Sequence, residues 1–295
     1  MSFFASPAVR AEARRSGIEL AAVASSAGRE TLSREDVERH VRAPTATAGQ
    51  QNHLRFWDVD HSKWGPVTSE PVPRMTQVAA ANLSASQSLI PQVTNHGRAD
   101  MRRVEAFRAT LQEEAAARGV RLTALAFHVK VLARCLVEFP RFNASLTADG
   151  ENLVIKHYVH VGVAVDTPHG LVVPAVRDAD RKGVWSVAAE IAELAGRAQN
   201  RKLRPDDLGG ASMSISNLGG IRGGEFTPLV NPPEVAILGL SRVETVPIWE
   251  NGGWSPVPMA SLNFSWDHRV VTGADAARFL TRYEALFADP RRLVI

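Results

Sequence analysis

Two short stretches carry the side chains best suited to chemistry. The first is SWDHRVVTGAD, residues 265–275, which sets His268 between Asp267 and Arg269 and then runs through two valines to Thr272. Leu262, Phe264 and Trp266 alternate before it and predict a strand; GADAARFLTRYEALFAD after it predicts a helix. Side chains at such junctions commonly meet ligands. Imidazole titrates near neutrality, so His268 is a candidate general base. The other reading is a structural histidine satisfied by backbone groups. The second stretch is SMSISNLGGIRGGEF, residues 212–226, in which Met213 and Ile215 alternate with Ser212, Ser214 and Ser216. That alternation predicts a strand, and the paired glycines after it allow a loop to approach a ligand closely. Ser216, at the strand end, either donates a hydrogen bond to a developing oxyanion or simply rounds off the strand.

Other chemistries lack their patterns. HExxH, CxxC and acid clusters at metal spacing are absent from the sequence, so no metal site is expected. GGIRGGEF is not a phosphate-binding loop, and no GxSxG elbow appears. His128 in AFHVKV and His160 in YVHVGVAVD sit on periodic segments and read as packing residues. Hydrophobic residues make up 45% and charged residues 22% of the 295, with a net charge of +3. That is a globular composition with no basic run interleaved with aromatics, which argues against nucleic acid as a partner. No run approaches the ~18 apolar residues of a membrane span. The single cysteine, Cys135, forms no internal disulfide, and the start lacks the apolar core of a signal peptide. A cytoplasmic protein without a membrane partner is expected.

These residues need elements to position them. SPAVRAEARRSG predicts a short helix capped by Ser6 with Pro7 in its first turn; LSREDVERHV predicts a second, with Ser33 and Asp36 spaced close to a capping box. Residues 2–43 therefore form a small helical domain, and APTATAGQQNHLRF, residues 44–57, reads as a linker. From 58 to 295 the pattern is α/β. ADMRRVEAFRATLQEEAAARG and LTALAFHVKVLARCLVEF predict helices, the second more apolar and more buried. YVHVGVAVDT, GLVVPAVRDAD, ASMSISNLGG, EVAILGLSRV and MASLNFSWDH predict strands, and VWSVAAEIAELAGRAQNRKL a long helix. The alternation is not a regular β-α-β series, which predicts a two-layer sandwich with a mixed sheet and helices on one face.

SWDHRVVTGADAARF and SMSISNLGG together resemble the dihydrolipoamide acyltransferases, the core subunits of 2-oxoacid dehydrogenase complexes, which share the chloramphenicol acetyltransferase-like fold. The resemblance, strongest to the pyruvate-type members, runs through most of residues 58–295 and includes PRFNASL, HVGVAVDTPHGLVVPAVRD, SISNLGGIRGGEFTPLVNPPEVAILGLS and ADPRRLVI. It implies acyl-CoA as co-substrate, no metal, His268 as general base and Ser216 as oxyanion donor. Asp267 and Thr272 would support the histidine, and Arg108 would lie near coenzyme A. It also implies a homotrimer whose active sites are channels between neighbouring subunits, entered by coenzyme A from one end and the acceptor from the other. The apolar tail Leu293–Ile295 would plug into further trimers to build a 24-subunit cube. Residues 2–43 resemble the family's peripheral-subunit-binding domain.

Four departures shape the expected function. Thr272 stands where the family usually has Asp or Asn, and Gln92, on the acceptor side, where it commonly has His. VASSAGRETL replaces the docking loop of the small domain, with Thr31 in place of an arginine. The lipoyl domain that ordinarily precedes the binding domain is not seen, so no lipoyl group is expected on this chain. These departures predict acyl transfer to a small-molecule hydroxyl, as in tetronate-type O-acetylation in specialised metabolism. The alternatives are a dihydrolipoamide acetyltransferase core subunit served by a separate lipoyl protein, and a core subunit that has lost catalysis.

Overall fold

The computed structural model describes residues 4–16, 18–27, 31–42, 58–221 and 223–293. The chain divides into two compact units, Met1–Pro71 and Val72–Ile295. The expected linker, 44–57, lies outside the described residues, and 58–71 fall with the first unit.

In the first unit β1 (Phe4–Ala5) pairs in parallel with β2 (Thr31–Leu32), and three helices surround the pair: α1 (Pro7–Arg15), α2 (Leu20–Ala27) and α3 (Arg34–Arg42). Ser6 Oγ caps α1 by accepting from the Val9 amide. Ser33 and Asp36 form a reciprocal box at the start of α3: the Ser33 amide donates to Asp36 Oδ2 at 2.8 Å, and the Asp36 amide to Ser33 Oγ at 3.3 Å. The helix α2 was not anticipated, yet it brings Val23 to the buried cluster of Val9, Ala13, Leu32 and Val37. Thr31 is exposed in β2.

The second unit follows the two-layer expectation. Its elements run α4 (Arg74–Leu89), β3 (Gln92–Asp100), α5 (Arg102–Thr110), α6 (Gln112–Ala117), α7 (Ala124–Glu138), β4 (Ala144–Leu146), β5 (Leu153–Ile155), β6 (Val161–Val163), β7 (Val165–Thr167), β8 (Gly170–Val172), β9 (Ala175–Val176), α8 (Val184–Gln199), β10 (Met213–Asn217), β11 (Ala236–Glu250), β12 (Gly253–Asp267) and α9 (Gly273–Phe287). The main sheet has the order β3-β12-β11-β10-β6-β9 and is mixed: β10 is parallel to both β11 and β6, and the other pairs are antiparallel.

Period-two alternation gives this sheet two different faces. Met213, Ile215, Leu238, Leu240, Leu262, Phe264 and Trp266 are buried in the main core with α7 and α9, and Phe264 stacks on Phe279 of α9 at 4.9 Å. The opposite face is polar: Thr94 bonds Ser265 at 2.8 Å, His96 bonds Asn263 at 2.9 Å, and Asn263 donates to Ser241 at 3.2 Å. Phe226 lies over it, and its amide donates to Asn263 Oδ1 at 3.1 Å. Gly239 packs closely there: a Cβ would stand 2.5 Å from the Phe226 ring, which would have to shift.

Three elements differ from their sequence expectation. The helix expected over ADMRRVEAFRATLQEEAAARG is broken at Leu111, whose amide bonds back to Arg108 at 3.2 Å while Thr110 Oγ1 donates to Phe107 O at 2.7 Å. Both contacts tighten the turn and compete with the regular helical ladder. Gly119, at φ +65°, ends the second piece as expected. GLVVPAVRDAD splits into β8, which pairs with β7, and β9, which pairs with β6, because Pro174 has no amide to continue the ladder. β11 and β12 extend beyond their expected limits into one long hairpin closed by Asn251 and Gly252, both at positive φ. His128 packs in the core as expected, bonded to Tyr283 at 2.6 Å, and burial pushes its pKa down to about 3. His160 is half-buried and accepts from the Asp178 amide at 3.0 Å. Burial also pushes the Cys135 thiol up to about 12. Among the described residues no helix is long and apolar enough to cross a membrane, and no cluster of potential metal ligands occurs.

Candidate active site

The chain leaves β12 at Asp267 and turns sharply into α9. Four backbone bonds fix the turn: Asp267 N–H to Val235 O at 2.8 Å, His268 N–H to Pro91 O at 3.1 Å, and Val270 and Val271 N–H to Asp267 O, each at 3.1 Å. The buried Trp266 adds an indole bond to Val271 O at 3.2 Å. Against this fixed backbone the His268 side chain is exposed, and among the described residues it has no hydrogen-bond partner. Its ring is tilted 33° to Trp266 with centroids 6.3 Å apart. A free imidazole on a rigid turn is what a general base requires.

Asp267 and Thr272 act on the turn and not on the imidazole. The buried Asp267 carboxylate receives the Arg269 amide at 2.9 Å and its guanidinium at 2.7–3.2 Å, a pairing that raises the Arg269 pKa. Thr272 is the N-cap of α9: its Oγ1 accepts from the Asp275 amide at 3.3 Å and donates to Asp275 Oδ2 at 2.8 Å. Removing such a cap costs about 1 kcal/mol. T272A is therefore expected to lower the melting temperature by roughly 2–4 °C, read by scanning calorimetry.

Ser216 lies on the polar face of β10, half-buried, with no partner for its hydroxyl among the described residues. Past the strand end at Asn217 a cavity of about 610 Å³ opens between α7, α8 and the sheet, walled by Met101, Arg121, His128, Asn217, Gly219 and Ser241 among others. Arg108 was expected to face coenzyme A, but its guanidinium is bonded to Glu105 and reaches Leu122 O at 3.5 Å. It lines a separate hollow of about 450 Å³. Arg121 lines both hollows, and no local sequence pattern marked it. Gln92 stands beside Asp267 in the sheet register, at the His268 end. Its amide is already engaged, accepting from the Val230 amide at 2.8 Å and donating to Ser86 at 3.3 Å.

One copy of the chain does not bring Ser216 and His268 together. Ser216 is level with Gly239 and Asn263, and β12, two strands away, runs four residues past Asn263 to Asp267 before the turn that carries His268. At strand spacings Asp267 is about 13 Å along the sheet and about 10 Å across it from Ser216.

A second acid went unnoticed in the NPPEVAIL run. Glu234 is buried beneath β10, where its Oε1 accepts from Ser214 at 2.8 Å and Asn231 at 2.9 Å, and its Oε2 has no partner. Burial pushes its pKa up to about 6, against the opposing pull of those bonds and Lys156. A raised carboxyl pKa gives stability below the unfolded value of 4.5 that is lost as pH rises through about 6. The loss is about 2 kcal/mol, and E234Q is expected to flatten that part of the stability–pH curve in urea titrations between pH 4 and 7.5.

Comparison with known proteins gives this fold its family. Residues 65–295 match the family model of the 2-oxoacid dehydrogenases acyltransferase (catalytic domain), and the chain belongs to that family. It is 44% identical over 299 residues to the dihydrolipoyllysine-residue acetyltransferase component of the pyruvate dehydrogenase complex of Pseudomonas aeruginosa, and 43% over 300 residues to that of Azotobacter vinelandii. Each alignment covers 99% of this chain but only 55% and 47% of the relative, so the chain spans about half the length of the curated relatives it matches. A solved structure of the Azotobacter vinelandii dihydrolipoamide acetyltransferase superposes with a TM-score of 0.78 at 45% identity, covering 80% of this chain and 98% of that one. The cubic core of the pyruvate dehydrogenase multienzyme complex gives the same values. The Azotobacter structure addresses a serine, a histidine and an asparagine in that enzyme's catalytic mechanism, with the histidine 52 residues after the serine and the asparagine four further on. Ser216, His268 and Thr272 stand at the same intervals.

These findings correct the expected acceptor. Thr272 and Gln92 had pointed to transfer onto a small-molecule hydroxyl. Identity of 41–44% along nearly the whole chain to pyruvate dehydrogenase acetyltransferases overturns that reading in favour of the lipoyl alternative. In the structure both residues serve local contacts, Thr272 as a cap and Gln92 as a cross-link.

Proposed function

We propose that this chain is the catalytic core of a dihydrolipoamide acetyltransferase, moving acetyl between coenzyme A and a dihydrolipoyl thiol that enters as substrate. The observation that carries the reading is the placement of Ser216 and His268 at the interval of the serine and histidine addressed in the Azotobacter vinelandii enzyme, within a chain 45% identical to it. His268 takes the proton from the dihydrolipoyl thiol, and the sulfur forms a bond to the thioester carbonyl carbon of acetyl-CoA. The carbonyl electron pair moves to oxygen, where Ser216 Oγ–H donates a hydrogen bond. Collapse breaks the carbon–sulfur bond to coenzyme A, whose thiolate takes the proton back from His268.

Each reaction centre takes His268 from one copy and Ser216 from its neighbour in a trimer. What supports this is the separation of the two groups within one copy. Coenzyme A occupies the cavity beside Asn217 and Ser241, where Arg121 supplies a positive charge for its phosphates. Larger cubic assembly through Leu293–Ile295 remains part of this proposal; Val294 and Ile295 lie outside the described residues. The test is release of coenzyme A from acetyl-CoA with free dihydrolipoamide as acceptor. Rapid release is expected. Tight binding of acetyl-CoA with no transfer to dihydrolipoamide would overturn the acceptor.

A further inference from the structure

Gln92 joins three parts of the fold that converge on the His268 turn. Its Oε1 accepts from the Val230 amide at 2.8 Å, and its Nε2 donates to Ser86 Oγ at 3.3 Å. Ser86 in turn donates to Val230 O at 2.5 Å, which closes a triangle between α4, β3 and segment 218–235. Ser86 and Val230 are both fully buried. Next to Gln92, the Pro91 carbonyl is the acceptor for the His268 amide, at 3.1 Å. Segment 218–235 is also the chain that leaves Ser216, and its far end holds Val235 O against the Asp267 amide at 2.8 Å. The two backbone bonds that aim the His268 turn thus come from Pro91 and Val235, and Gln92 ties the segments that carry them to each other.

We infer that Gln92 is a positioning residue for the reaction, a side-chain amide that fixes His268 by locking Pro91 to the segment running from Ser216 to Val235. Its role deepens the acetyltransferase reading and rests on it. A bifunctional amide suits the task because it meets one backbone donor and one hydroxyl acceptor at once. Catalytic geometry tolerates little slack: a displacement near 1 Å can cost about 100-fold in rate. Loss of the cross-link changes the placement of the base, not the binding of coenzyme A in its cavity.

The test compares wild type with Q92M, which keeps the length and loses both bonds, and Q92E, which keeps the acceptor for the Val230 amide. In Q92M, kcat for dihydrolipoamide acetylation is expected to fall about 10- to 100-fold, with the KM for acetyl-CoA unchanged. Q92E is expected to fall between the two. Hydrogen–deuterium exchange gives a readout independent of turnover: the peptide containing the His268 amide should exchange faster in Q92M while peptides from α8 do not. Unchanged exchange at His268, or unchanged kcat in a Q92M protein with a lowered melting temperature, would overturn the positioning role and leave Gln92 a stabilising residue only. Failure of wild type itself to acetylate dihydrolipoamide would instead strike the proposed reaction, and the exchange comparison would still decide the cross-link.

Discussion

H268A is expected to lose acetyl transfer to dihydrolipoamide by about 1,000-fold or more while binding acetyl-CoA as wild type does. The size follows from what the imidazole does. Without it the thiol must lose its proton to water, and the departing coenzyme A thiolate has no positioned acid to receive. Binding survives because the cavity that holds Asn217, Ser241 and Arg121 has no wall made by His268. Folding survives because the turn is held by the Asp267, His268, Val270 and Val271 backbone amides, all of which alanine keeps. Steady-state release of coenzyme A gives the rate, and isothermal titration with acetyl-CoA gives the binding. Transfer within 10-fold of wild type would remove His268 from the mechanism.

S216A is expected to lower kcat about 100- to 1,000-fold with little change in KM for either substrate. An oxyanion donor strengthens its bond only as charge develops, so its loss appears in turnover. The hydroxyl is well placed for this because nothing else among the described residues uses it. Ser214 on the same strand and Ser212 just before it do have partners, in the Glu234 carboxylate and the Tyr158 carbonyl. A change confined to KM would assign Ser216 to binding instead.

Much of this architecture could be read from residue patterns because the patterns obey one period at a time. The Met213–Ile215 and Leu262–Phe264–Trp266 alternations gave strands whose apolar faces are buried under helices, and Ser6, Ser33 and Gly119 gave helix ends. Where two demands competed, the reading failed. Leu111 looks like a helix interior until Thr110 bonds its own turn, and Pro174 divides an apolar run between two partners. The Asn251-Gly252 pair, both at positive φ, is itself a hairpin signal in the sequence. The site was legible as two residues but not as a place. On local pattern Ser216 and His268 stay open between a chemical and a structural reading, and the family resemblance singles them out; their separation depends on sheet register, which no local pattern fixes. Arg108 and Arg121 look alike in sequence, but in space Arg108 is bonded to Glu105 and lines the smaller hollow, whereas Arg121 lines both. Thr272 and Gln92 suggested a new acceptor, and their hydrogen bonds assign them to the scaffold.

The most direct test of the account is subunit complementation. H268A and S216A chains are co-expressed with different tags, and mixed assemblies are purified and assayed for acetyl transfer to dihydrolipoamide. If each centre draws His268 from one copy and Ser216 from its neighbour, random mixing leaves about one quarter of the sites with both groups intact, and activity returns to about that fraction of wild type. Mixed assemblies no more active than the average of the two variants alone would contradict a centre shared between copies.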